Sequence, residues 1–131
     1  MDKKGLAIGM SNAKQEKMGN VILQSIEIEE TFPGFGFFPK PGRATGLVHD
    51  EYQKRTGETA VVTAGIMNTA ITMRATDEAN FSVHELIKFI DKKLPETFVE
   101  GGGHKNAGSI SFLPNKKNNI VNLLKEFIKS R

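Results

Sequence analysis

The chain has 131 residues, no cysteine, three histidines, and 18 Lys+Arg against 15 Asp+Glu, a net charge of +3. That excludes a disulfide framework and a thiolate zinc site, leaves little for a histidine-rich metal cage, and permits an anionic partner without demanding one. No apolar run approaches the roughly 18 to 20 residues that span a bilayer, so no membrane association is expected, and with no signal-peptide core the expected setting is the cytoplasm.

Residues 1–20 are polar and helix-tolerant, but Gly5, Gly9 and Gly19 weaken a helix there, so they read as a linker or helix remnant ahead of a domain over 21–131. Val21 to Glu29 ends in apolar/polar alternation (Ile26, Glu27, Ile28, Glu29) and predicts a half-buried strand. Thr31 to Gly42 is dense in proline and glycine and predicts a loop. Within it Phe32, Phe35, Phe37 and Phe38 lie beside Lys40 and Arg43. Such aromatics either stack bases or, the favoured reading, plug a core edge or a domain interface.

Gly46 to Arg55 predicts a short helix stopped by Gly57. Ala60 to Ala64 and Thr69 to Arg74 predict two strands of a hairpin turning at Gly65 to Asn68. Ser82 to Leu94 has the strongest helical pattern: Ser82 and Glu85 form a capping box, Phe81 and Leu86 have staple spacing, and Val83, Leu86, Ile87, Ile90 and Leu94 make one apolar stripe. His84, near its amino end, reads as a surface residue with no ligand role. Glu100 to Gly108 predicts a glycine-rich turn, Ser109 to Leu113 a strand, and Asn118 to Lys129 a second amphipathic helix. The basic residues Lys116, Lys117, Lys125, Lys129 and Arg131 on this tail read as a solubilising face. The order predicts an α/β fold: one small domain, a mixed β-sheet with amphipathic helices packed on it.

Two segments carry chemistry. Gly101-Gly102-Gly103-His104-Lys105-Asn106-Ala107-Gly108 strips side chains from a loop wall, so its N–H groups could form an anion nest, with His104 and Lys105 as phosphate donors. The alternative is a tight turn into a strand, with His104 capping it. The spacing is neither that of a Walker loop nor that of a dinucleotide fingerprint. In Thr72-Met73-Arg74-Ala75-Thr76, a strand-end arginine suits bidentate contact with phosphate or carboxylate.

From Gly46 to Phe112 the chain resembles the C-terminal DHH-associated domain of DHH-family phosphoesterases, which include RecJ-type single-strand exonucleases and oligonucleotide phosphodiesterases. The resemblance rests on GLVHDEYQKRTGETAVV, ITMRAT, SVHELIKFI and GGGHKNAGSISF in that order. It implies a substrate-binding domain that clamps the backbone of single-stranded DNA or RNA, or of a short oligonucleotide. Chemistry would belong to a separate N-terminal domain holding two manganese ions through aspartates and an Asp-His-His motif. On the matching positions Arg74 would contact one phosphate, and Gly101, Gly102, Gly103 and His104 the phosphate nearest the scissile bond, with Lys105 and Asn106 as further candidates.

The sequence departs from the family pattern at Thr72 and Ala75, where serines are usual, at Glu51, where a base is common, and in having no Asp-His-His. No catalytic set is therefore expected in this chain. The competing reading is a non-catalytic nucleotide- or RNA-binding accessory module, like the related domain appended to alanyl-tRNA synthetases. A self-sufficient hydrolase would need a metal or nucleophile set that this composition does not offer.

Overall fold

The computed structural model describes residues 3–31, 41–95, 99–104 and 106–130. Among them six strands form one sheet in the order β1-β2-β3-β4-β6-β5, where β1 is Lys14–Met18, β2 Val21–Glu27, β3 Val61–Ile66, β4 Ala70–Ala75, β5 Glu100–His104 and β6 Ala107–Ser111. Only the β2–β3 pairing is parallel. The mixed sheet with helices on it is the predicted α/β architecture.

Helices cover both faces. On one side α4 (Val83–Lys93) and α5 (Lys117–Lys129) bury Leu86, Ile90, Leu124 and Phe127 against Leu23, Val62, Met73 and Ile110. Phe81 meets the Phe127 ring edge-on, with centroids 5.8 Å apart. On the other side α1 (Lys3–Asn12) and α3 (Pro41–Thr56) close over a smaller cluster of Ile26, Ile28, Ala44 and Val48. The α4 start follows its sequence: the Ser82 hydroxyl accepts from the Glu85 backbone N–H at 3.3 Å. Gly57, at φ 73°, ends α3 as expected.

Several elements differ from the sequence reading. Residues 1–20, read as a linker or helix remnant, contain α1 and a whole strand, β1. That strand is an edge with only Met18 buried, so its polar residues Lys14 to Lys17 carry no alternation to detect. The first predicted strand stops at Glu27, and Ile28–Thr31 makes a helical turn, α2. The helix expected from Gly46 begins at Pro41, so Pro41 and Gly42 belong to it and not to the loop. The phenylalanine-rich stretch 32–40 lies outside the described residues. The last strand is Ala107–Ser111, not Ser109 to Leu113.

Two lysines of the basic tail make ion pairs among the described residues. Lys117 Nζ stands 3.0 Å from Glu27 Oε2 on β2, and Lys125 Nζ 3.0 Å from Glu16 Oε1 on β1. These lysines tie α5 across the sheet edge. No helix of the described residues is long and apolar enough to cross a membrane.

Candidate functional site

One transverse row of the sheet organises the site. The registers Gln15↔Gln24, Gln24↔Thr63, Thr63↔Arg74, Arg74↔Ala107 and Ala107↔His104 run from β1 to β5 without a break. Residues opposite one another across strands share a face, so this row faces the α1/α3 side. Its middle, Gln24 and Thr63, is buried on the side that α1 and α3 cover; its two ends, Gln15 and His104, are exposed.

Arg74 is half-buried where the row emerges from under α3. A side-chain carbon at Gly46 would lie 2.5 Å from Arg74 Nη1 and 3.3 Å from Cζ. The guanidinium therefore occupies the slot left by a missing side chain on the helix. Gly65 does the same one row along, where a side chain would collide with the Thr45 hydroxyl of α3. Among the described residues no carboxylate pairs with Arg74. Its charge stays open to an outside anion.

The structure brings Arg74 and His104 into one row: both are registered against Ala107, Arg74 from one side and His104 from the other. Lys105 lies outside the described residues. Asn106, at φ 72°, turns the chain from β5 into β6. Its carbonyl accepts from the Ala75 N–H at 2.9 Å and its amide donates to the Asp77 carboxylate. Asn106 thus latches the hairpin to the end of β4, which sets His104 beside Arg74.

Gly101 to Gly103 form no open nest. They are paired strand, registered with Ile110, Ser109 and Gly108. The glycines are required by close approach: a side chain at Gly103 would collide with Ala107 O and Gly108 Cα, and one at Gly101 with Ser109 O. Of the predicted turn, the described residue outside the strands is Asn106. His84, exposed on α4, is not idle: its Nε2 stands 3.3 Å from Gly103 O. Facing a carbonyl, that nitrogen must carry the proton and donate. It pins the glycine strand to α4.

The residue that sequence reasoning passed over is His49. It is 4% exposed, and its Nδ1 lies 2.7 Å from Thr63 Oγ1. Gln24 Nε2 donates to the same hydroxyl at 3.0 Å, and Gln15 Nε2 donates to Gln24 Oε1 at 2.8 Å. Burial pushes the His49 pKa below the ordinary value of 6.5; Asp50 opposes this and Arg74 adds to it. The ring is neutral near pH 7. The available signal was spacing: Gly42, Thr45, Gly46 and His49 recur at helical intervals and make a small, polar face. Among the described residues no group of three or more His, Cys, Asp or Glu is placed to hold a metal ion.

Comparison with known proteins adds the following. No family model matches the chain. An uncharacterised protein of Methanocaldococcus jannaschii is 30% identical over 115 residues, which is 84% of this chain and 15% of that protein. A solved structure of the DHH domain of a member of the S1p family of ribosomal proteins superposes with a TM-score of 0.88 at 29% identity, covering 97% of this chain and 30% of that one. The C-Ala domain of Aquifex aeolicus alanyl-tRNA synthetase shares the fold, with a TM-score of 0.53 at 20% identity over 88% of this chain and 98% of that one. The chain therefore spans under a third of the length of the first two relatives.

Proposed function

The chain is a DHH-associated domain, and we propose that it binds nucleic acid by its phosphate backbone, holding a single strand or short oligonucleotide for a separate DHH domain that cleaves it. The observation that carries this reading is the register of Arg74 and His104 against one residue, Ala107, at the exposed β5 end of the row. A guanidinium that no carboxylate of the described residues pairs, and an exposed imidazole on the same face of the sheet, suit a phosphodiester, which accepts from both. Gly102, one pleat from His104 on the same face, carries no side chain to bar a backbone, and the exposed Ser109 and half-buried Thr72 add hydroxyls in its row. Lys105 follows His104 directly in sequence as a further cation, and Asn106 latches the start of β6 to the end of β4.

In this reading the domain does no bond-breaking. Arg74 and His104 hold the phosphate in line and offset charge that builds on its oxygens in the transition state. Two manganese ions in the DHH domain would supply the activated water. The cytoplasm, where nucleic acid and reduced thiols coexist, is the setting proposed for it.

Binding of a labelled single-stranded oligonucleotide across a salt series tests the reading. Arg74→Ala and His104→Ala should each weaken binding, and the Arg74 change should lower the salt slope by about 1. Wild-type chain that ignores oligonucleotides, or variants that match it, would overturn the assignment. The C-Ala fold likeness favours one second reading, an RNA-binding accessory module without a cleaving partner. A folded RNA bound far more tightly than a single strand would select it.

A further inference from the structure

We infer that His49 is a positioning residue for Arg74: an uncharged imidazole, anchored through Thr63, Gln24 and Gln15, forms the inner wall that holds the guanidinium in its outward pose. The inference rests on the phosphate-binding reading of Arg74 and gives that site its support.

The problem it solves is physical. An arginine side chain has several rotatable bonds, and an anion site needs it in one pose before the ligand arrives. A carboxylate would fix the pose but neutralise the charge the ligand needs. Among the described residues none does so. A neutral wall fixes the pose and leaves the charge available.

His49 is built as such a wall. It stands one helical turn beyond Gly46, the position whose missing side chain makes room for the guanidinium. It hydrogen-bonds Thr63 Oγ1 at 2.7 Å, and Thr63 is the direct cross-strand neighbour of Arg74. The hydroxyl is held in turn by Gln24 in a buried bond, and Gln24 by the exposed Gln15 in a part-buried one, so the chain of bonds reaches the far edge of the sheet. No buried side-chain nitrogen or oxygen of the described residues lacks a partner, so the buried part of the network is satisfied. Arg74 also opposes protonation of His49, which puts the two groups within Coulombic reach.

The test has a ligand-free arm and a ligand arm on the same 131-residue chain. Without ligand, the Arg74 Nε–H resonance should be single and sharp in wild type. It should broaden or move toward the random-coil position in His49→Ala and Thr63→Val. In His49→Asn, whose amide can replace Nδ1 toward Thr63, it should stay near its wild-type place. An unchanged Arg74 signal in His49→Ala, with the fold intact by circular dichroism, would overturn the inference. So would a signal lost equally in His49→Asn while that variant remains folded. With a single-stranded oligonucleotide, His49→Ala should weaken binding by roughly fivefold to tenfold, but have no further effect once Arg74 is alanine, the signature of coupled neighbours. Additive losses would overturn it. Should wild type bind no oligonucleotide, the binding reading fails, and the ligand-free arm still decides the role of His49.

Discussion

Arg74 and His104 reach the same point of the sheet from opposite sides of Ala107, one from β4 and one from β5, with β6 between them. The two are 30 residues apart in sequence, and no local motif makes them neighbours; the swapped order of β6 and β5 does. In a full-length phosphodiesterase carrying this domain, removing one fixed donor at the transition state should cost on the order of 10²-fold in kcat. His104→Ala is predicted to show that loss. Unchanged turnover in a steady-state assay would rule the contact out.

Gly46 gives a prediction in which stability and binding part company. Gly46 is buried, and glycine in the middle of a helix costs roughly 0.5 to 1 kcal/mol relative to alanine. Gly46→Ala should recover part of that, but its new carbon would meet the guanidinium of Arg74, the mobile end of a long side chain. The arginine should give way and the fold should not. The variant is predicted to match or exceed wild type in urea unfolding while binding oligonucleotide more weakly. Loss of both together would show that the slot is a packing feature alone.

The elements legible in the sequence are those whose burial follows a period. In α4 and α5 the stripes of Val83, Leu86 and Ile90, and of Ile120, Leu124, Phe127 and Ile128, are the residues that face the main core. The β3–β4 hairpin was legible otherwise: β3 is a short apolar run buried throughout, and β4 returns from it after a turn signal. What was not legible had no period. In β1 one apolar residue in five is buried, and the pairing that makes it a strand belongs to the sheet. In β5 three glycines signal a turn, yet here they let two strand backbones lie close. For the site, the residue types at Arg74 and His104 were readable and their meeting was not. His49 was the converse: a lone histidine in a helix says nothing until Thr63 stands opposite it.

The glycine strand should respond unequally to alanine. At Gly103 a side chain would collide with Ala107 O and Gly108 Cα, which are backbone atoms that cannot swing aside. At Gly102 it would meet only His84 Cε1, at 3.4 Å, an ordinary contact. Gly103→Ala is therefore predicted to cost about 1 to 3 kcal/mol, in the range of overpacking. It should also raise amide exchange through β5 and β6. Gly102→Ala should leave stability within about 0.5 kcal/mol of wild type, as surface changes usually do. Equal losses at the two positions would mean that the strand is intolerant for another reason than the collision.

His49 sets a pH dependence whose sign follows from its burial. In the unfolded chain its ring takes a proton near the ordinary value of 6.5, whereas in the fold burial, with a contribution from Arg74, holds that step lower. Between the two values the unfolded state binds more protons than the folded one, so stability rises with pH there. The stabilisation is complete above about 6.5 and is lost as the solution is acidified through the folded value. Urea unfolding at about pH 7.5 and at about pH 5.5 should therefore show a weaker fold at the lower pH. His49→Asn, which keeps a partner for Thr63 and cannot take up the proton, should show a smaller difference between the two. If the variant and the wild type lose the same amount of stability on acidification, the dependence belongs to other groups, and His49 is either not buried in solution or already protonated in the fold.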